Sequence, residues 1–342
     1  MLTKGINFVN FKIKKNSTLV KKNLISILKS KNEVLNSLSQ NYKNNFTKKL
    51  LHKYKKKIDY RVIGMGGSSL GTQTIYDFLK HKIRKNFVFA DNLQTAQIKE
   101  KKKYTNLIVS KSGNTIETVV NANILIKKKE RNIFITENKD SYLFSLAEKL
   151  KSDIIHHNNY IGGRYSVLSE VGMLPAELMG LKASDFRQLN NLIKNKKFIN
   201  SLISNVSSTL YFIKKKKFNS VIINYDARSE NLFNWYQQLI AESLGKKKKG
   251  LLPVVSNMPK DNHSTMQLYL DGFKNNFFTF FYVNEPNSEK IKNNTILSSQ
   301  YYLKNKNLSQ ITLAQRKATE NVFKKKNIPF RSFEIKKRNE KT

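Results

Sequence analysis

The stretch Ser110 to Thr118, reading SKSGNTIET, constrains this chain more than any other. It follows the apolar run Leu107-Ile108-Val109 and opens the apolar-periodic stretch Val119 to Ile126. An apolar run, a hydroxyl cluster around one glycine and then helical periodicity read as strand, tight turn and helix N-terminus. The first amides of a helix lack intrahelical acceptors and carry the positive end of its dipole, so such a turn is a ready anion site. Ser110, Ser112 and Thr115 would add hydroxyl donors, and Gly113 would let the backbone curl around a phosphate. The bland alternative is that Ser112 or Thr115 only caps the helix, with Glu117 in its first turn.

A second turn of this kind, Gly64-Met65-Gly66-Gly67-Ser68-Ser69-Leu70-Gly71, follows the short strand Tyr60 to Ile63 and leads into the helical pattern Ile75, Phe78, Leu79. It is not a clean dinucleotide fingerprint, Asp91 being only a faint acidic candidate, and tight helix-on-sheet packing is its alternative reading. Further strands at 87–90, 106–109 and 132–136 alternate with helices, which predicts a parallel sheet covered on both faces. Ligands bind such sheets at the carboxyl ends of the strands, so the two turns can converge on one site. After Ile154 to His156 comes Gly162-Gly163-Arg164-Tyr165-Ser166. The glycine pair leaves Arg164 on a constrained loop, where it could hold a phosphate, stabilise an oxyanion or form a structural salt bridge.

A chain of 342 residues suits two domains. Residues 1–56 are read as an N-terminal helical cover, with the amphipathic stretch Leu19 to Leu38 packed on a core. Residues 57–182 form a first α/β domain and 183–336 a second, whose strands at 220–225, 251–256, 277–283 and 330–335 repeat the layout of the first. Two such sandwiches imply a site in the cleft between them. Within the second, Glu242 ends a helix carrying Trp235, Tyr236, Leu239 and Ile240, and is either a base or a solvent-facing carboxylate. His263 opens the next helix as a proton shuttle or a helix-terminus hydrogen bonder. The last helix, Ser309 to Lys326, ends before Pro329, and the polar tail, 337–342, is expected to fray.

The formal charge of +39, from 63 Lys and Arg against 24 Asp and Glu, points at first to nucleic acid or an anionic membrane. The form of the charge argues against both. It is almost all lysine, dispersed in runs (Lys101 to Lys103, Lys127 to Lys129, Lys214 to Lys217, Lys246 to Lys249, Lys324 to Lys326), whereas base readout favours arginine forks and stacked aromatics on one face. No specific nucleic-acid partner and no membrane are expected, and the field would help to attract an anionic metabolite. Zero cysteines exclude disulfides and thiolate chemistry, and the five histidines are not arranged for a metal. Lys4, Lys12, Lys14 and Lys15 interrupt any leader-like apolar run, so a cytoplasmic protein is expected.

Five blocks in order, GMGGSSLG (Gly64 to Gly71), SKSGNTIET, GGRYS (Gly162 to Ser166), ESLGK (Glu242 to Lys246) and NHSTMQLYLDG (Asn262 to Gly272), make the chain resemble the glucose-6-phosphate isomerases of the sugar isomerase fold superfamily. The resemblance covers roughly residues 55–330 and implies two α/β/α sandwich domains with mainly parallel sheets. It implies an aldose–ketose isomerase in which Glu242 moves a proton between C2 and C1, Arg164 stabilises the enediolate and His263 helps to open the ring. Ser68, Ser110, Ser112 and Thr115 would hold the phosphate with Lys111 close by and Gly66 and Gly67 in the same cradle. The family needs no cofactor or metal, and its members are commonly homodimers with the histidine supplied by the partner.

Two departures follow. Gly113-Asn114 resembles the dual-specificity glucose/mannose phosphate isomerases, which makes mannose 6-phosphate a second candidate substrate. The family's C-terminal Gln is followed seven residues later by a catalytic Lys, whereas here Gln315 is followed at that spacing by Val322; Lys324 is the nearest substitute and Lys317 the next. A noncatalytic sugar-phosphate-binding regulator on the same fold is the alternative that this departure motivates.

Overall fold

The computed structural model describes residues 3–13, 15–94, 102–127 and 130–342; Lys14, Lys101, Lys128 and Lys129 of the lysines named above lie outside the described residues. The chain opens with strand β1 (Ile6–Val9) and helices α1 (Thr18–Lys29), α2 (Glu33–Ser37) and α3 (Lys48–Lys55). Strands β2 (Asp59–Gly64), β3 (Asn86–Ala90), β4 (Thr105–Val109), β5 (Arg131–Thr136) and β6 (Asp153–His156) follow, with helices α4 (Leu70–Phe78), α5 (Ile116–Leu125) and α6 (Tyr142–Lys149) among them. Helices α7 (Glu170–Met179), α8 (Ala183–Phe186), α9 (Leu189–Lys194) and α10 (Lys196–Lys214) lead to the second series. It comprises β7 (Asn219–Asn224), α11 (Glu230–Leu244), β8 (Leu252–Asn257), α12 (Met266–Asp271), β9 (Asn276–Val283), α13 (Leu308–Lys325) and β10 (Phe330–Ile335).

The first sheet has the order β3-β2-β4-β5-β6, parallel throughout. Every residue of β4 is buried, as a strand covered on both faces requires. The second sheet runs β1-β10-β9-β7-β8, parallel except for β1, which pairs antiparallel with β10. In both, the chain first steps one way (β2 to β3, β7 to β8) and then returns across the starting strand, so each sheet has a switch point, between β2 and β4 and between β7 and β9.

Side-chain alternation along β9 sorts the helices of the second sheet. Phe281 meets Phe233 of α11 with ring centroids 4.9 Å apart. Phe278 and Phe280, on the opposite face, meet Phe323 of α13 at 4.9 and 5.2 Å. Helices α11 and α13 therefore cover opposite faces. Helix α11 runs against the strands: Tyr236 Oη lies 3.3 Å from Ser220 Oγ and Gln237 Nε2 donates to the Pro253 carbonyl, both near strand starts. Its last turns thus stand at the amino end of the second sheet, and they face the carboxyl end of the first.

Two expectations change. The helical cover gives up Ile6–Val9 to the second sheet, and the helix expected over Leu19 to Leu38 is two, broken where Ser30 closes α1 and Asn32 caps α2. No residue of α1 is buried, because Leu24 and Leu28 make too narrow a stripe and Ile25 and Ile27 face solvent. The tail does not fray: Arg338 is 4% exposed and anchored by ion pairs to Asp226 and Glu285.

Candidate active site

The two glycine-rich turns meet at the switch point of the first sheet. Ser110 leaves β4 buried, and its Oγ lies 2.9 Å from Thr115 Oγ1 and accepts from the Gly113 amide at 3.2 Å. Gly113 has φ +69, and a Cβ there would overlap Ser141 Oγ, so only glycine closes this turn. Thr115 occupies the N-cap position of α5 but makes no side-chain capping bond, its hydroxyl being turned towards Ser110. That removes the capping alternative for Thr115 and leaves the first amides of α5 open to an anion. Ser112 Oγ accepts from the Asn114 amide at 3.3 Å, and Asn114 Oδ1 accepts from the Tyr142 amide at 2.8 Å, tying the loop to α6.

Lys111 Nζ donates to the Asn159 carbonyl at 2.9 Å and lies 3.4 Å from Glu137 Oε1. Burial pushes the Glu137 carboxyl up, but hydrogen bonds and charge from Lys139 and Lys111 outweigh it and hold the group below its ordinary range. Ser68 sits half-buried at the end of the opposing turn, Gly66–Ser68. In that turn Gly66 has φ +54 and faces Gln238, while Gly67 packs so closely that a Cβ would come within 2.6 Å of the Arg164 amide nitrogen. The glycines of GMGGSSLG therefore do part of what the packing alternative supposed: they let the Arg164 loop lie against the cradle. Ser166 Oγ fastens that loop, donating to the Gly163 and Gly67 carbonyls at 2.7 and 3.3 Å.

Arg164 and Glu242 come together across the two sheets. Arg164 Nη1 donates to Glu242 Oε2 at 3.1 Å, and Arg164 Nε donates to Ser243 Oγ at 3.0 Å. The guanidinium stacks 4.6 Å from the centre of the Tyr165 ring, whose hydroxyl lies 2.7 Å from the same Ser243 Oγ. Trp235 Nε1 donates to the Arg164 carbonyl at 2.9 Å. Burial opposes the charge of Arg164, but hydrogen bonding and charge at Tyr165 and Glu242 outweigh it and raise its pKa. The Ser243 hydrogen bond, with the Arg164 and Lys246 charges, lowers the Tyr165 phenol against the effect of burial. With side chains 22% and 48% exposed, Arg164 and Glu242 are reachable from the cleft.

Sequence reading gave no site role to Gln238, Ser243, Tyr165 or Trp235. Gln238 Nε2 donates to Glu242 Oε1 at 2.8 Å, while its Oε1 is buried without a partner among the described residues. The signal was available, since a residue four before Glu242 on a helix shares its face. An orphan acceptor there is suited to a hydroxyl donor from a ligand.

His263 and Lys324 are not brought to this cluster within one chain. His263 is exposed at the end of the turn Lys260–His263, beyond the carboxyl end of β8, whereas Glu242 lies near its amino end. The length of the strand separates them by about 20 Å. Lys324 lies in the last turn of α13, on the face of the second sheet opposite α11, where with Phe11, Phe212 and Arg316 it lines a cavity of about 970 Å³. Lys317 is exposed on the same helix.

Comparison with known proteins is consistent with this geometry. The phosphoglucose isomerase family model matches residues 14–260, ending just short of His263. The glucose-6-phosphate isomerase of Methanocaldococcus jannaschii is 34% identical over 306 residues, covering 82% of this chain and 74% of that protein. That of Mycoplasmopsis pulmonis is 31% identical over 286 residues, covering 75% and 67%. Among solved structures, a hypothetical protein from Thermus thermophilus superposes with TM-score 0.79 at 21% identity, covering 94% of this chain and 84% of its own. A glucose-6-phosphate isomerase from Chlamydia trachomatis gives 0.62 at 18% identity, covering 90% and 65%.

Proposed function

This chain belongs to the phosphoglucose isomerase family, and on that premise we propose that it interconverts glucose 6-phosphate and fructose 6-phosphate. The observation that carries the reading is the Arg164–Glu242 pair at 3.1 Å, set beside an anion cradle. The hydroxyls of Ser68, Ser110, Ser112 and Thr115, the Gly66-Gly67 backbone, the first amides of α5 and Lys111 hold the phosphate. This fixes the sugar so that C1 and C2 reach Glu242. The Glu242 carboxylate takes the C2 proton, the C–H electrons become the C1–C2 double bond, and the carbonyl π electrons move onto O1. Arg164 stabilises the enediolate charge from the side of Glu242 already within hydrogen-bond reach. The O2 proton passes to O1, the proton held by Glu242 returns to C1, and the C2–O2 electrons close to the ketone carbonyl, which completes the isomerisation. Only protons move, so the reaction asks for no cofactor or metal.

His263 enters this reading from a second copy of the chain, because its own Glu242 lies at the other end of β8. The protein is accordingly proposed to be a cytoplasmic homodimer with shared sites. Mixing Glu242→Gln and His263→Ala chains, each inactive alone, is expected to restore about a quarter of the parent activity, since half the dimers then carry one intact site. No restoration after subunit exchange would refute sharing.

Lys324 has no contact with Arg164 or Glu242, and its role rests on the resemblance alone; Lys324→Ala and Lys317→Ala test it. A coupled assay on glucose 6-phosphate, with mannose 6-phosphate alongside because of Gly113-Asn114, tests the activity itself. Tight sugar-phosphate binding without turnover would instead favour the noncatalytic regulator.

A further inference from the structure

The geometry points to Ser243 as a positioning residue, a hydroxyl that fixes the Arg164 guanidinium relative to Glu242 and so sets the rate of proton transfer. This inference rests on the isomerase reading above. An arginine on a glycine-flanked loop has a freely rotating side chain and five N–H donors, and an enediolate is stabilised only by donors already aimed at it. Three constraints act on Arg164 here. Its carbonyl is held by Trp235, its guanidinium face by the Tyr165 ring, and its Nε by Ser243 Oγ at 3.0 Å.

The Ser243 bond holds the guanidinium at Nε, its hinge atom, and through the Tyr165 hydroxyl it also places the second side chain that hydrogen-bonds Arg164. The Glu242 bond through Nη1 weakens when the carboxylate takes up a proton, whereas the Ser243 bond does not depend on the protonation of the base. Ser243 is the neighbour of Glu242 on α11, so the base and the atom that orients the arginine are carried by one helix turn. The same Oγ lies 2.7 Å from the Tyr165 hydroxyl. A serine hydroxyl can accept from Arg164 Nε and donate to Tyr165 at once, so one atom registers the loop of the first sheet against the helix of the second. Tyr165 and Ser243 do not need to touch substrate for this. Their charged neighbours are Arg164, Glu242 and Lys246, and Arg164 and Lys246 favour the hydrogen bond by drawing the phenol towards its acceptor form.

The test is a comparison of Ser243→Ala, Ser243→Thr, Tyr165→Phe and Glu242→Gln in the full-length protein, with steady-state kinetics on fructose 6-phosphate and thermal unfolding. Ser243→Ala is expected to lower kcat by about 10- to 100-fold with KM changed less than about threefold, since the phosphate grip is elsewhere. Ser243→Thr, which keeps the hydroxyl, is expected to recover kcat to within about fivefold of the parent, and Tyr165→Phe, which keeps the stacked ring, to lose less than about tenfold. A Ser243→Ala enzyme with parent kcat overturns the inference. So does one whose threonine counterpart is equally slow, because the loss would then come from volume. The parent and Glu242→Gln separate the levels: a parent chain without turnover fails the isomerase reading, parent turnover in Glu242→Gln fails the assignment of the base, and a dead Glu242→Gln beside an unimpaired Ser243→Ala rejects only the positioning role.

Discussion

The two sheets share the order of four parallel strands and differ at their switch points. After β2 and β4 the first sheet sets Gly66, Gly67, Ser110 and Gly113, residues too small to fill the crevice, around the open amides of α5. After β7 and β9 the second sheet sets Asp226, Ser229 and Glu285, and the crevice is closed by Arg338. The Arg338 guanidinium donates from Nε to Glu285 at 2.8 Å and from Nη1 to Asp226 at 2.9 Å, and Ser229 also donates to Asp226. Burial works against the Arg338 charge, but Asp226 and Glu285 outweigh it and raise the pKa. The plug also reaches the first sheet's helices: the guanidinium lies 5.0 Å from the Phe78 ring centre and Glu340 pairs with Lys82 at 2.6 Å. One topology therefore leaves a crevice open, the proposed ligand site, where its loops are small and makes an anchor where a side chain occupies it.

The strongest way to break this contrast is Arg338→Met, which leaves the Asp226 carboxylate buried and unpaired. Urea unfolding is expected to show a loss of about 3–5 kcal/mol, and a much smaller loss in Asp226→Asn with Arg338→Met, because then no charge is stranded. If the single and double variants unfold alike, the plug is not an ion-pair lock. Next in size, Gly113→Ala is expected to cost about 2 kcal/mol and to weaken sugar-phosphate binding, from strain at positive φ and the overlap with Ser141. Calorimetric titration with fructose 6-phosphate reads the second effect. Ser110→Ala removes one donor and is expected to raise KM about 5- to 10-fold with kcat nearly unchanged. A fall in kcat with unchanged KM would place Ser110 outside the cradle.

The smallest effect concerns pH. Because the folded-state pKa of Glu137 is depressed, its contribution to stability is complete above the ordinary carboxylate range and is lost as pH falls through the lowered value. Glu137→Gln should therefore flatten the acid side of a Tm-against-pH profile slightly, and a steeper acid side would contradict the assignment.

What could be read from the sequence follows the range of the interactions. Strands β2 to β6 and β7 to β10 announce themselves in local apolar runs, and the cradle does so in contiguous hydroxyls and glycines. Arg164 and Glu242 were legible as separate motifs, but their meeting was not, since 78 residues separate them. Arg338 lies in a polar tail that looks frayed because its partner Asp226 is 112 residues away. The pairing of β1 with β10 joins the two ends of the described chain, which no local pattern encodes. Gln238 and Ser243 were overlooked although each lies within about one helical turn of Glu242, and helical spacing could have found them.

The central claim, that Glu242 shuttles a proton between C2 and C1 beside Arg164, is tested most directly by incubating the purified protein with glucose 6-phosphate in D₂O and following deuterium by NMR. The account predicts fructose 6-phosphate carrying deuterium at C1 with the parent chain, and a rate about a thousandfold lower with Glu242→Gln. Isomerisation at the parent rate by Glu242→Gln, no isomerisation by the parent, or parent product that stays free of deuterium at C1 through many turnovers would contradict it.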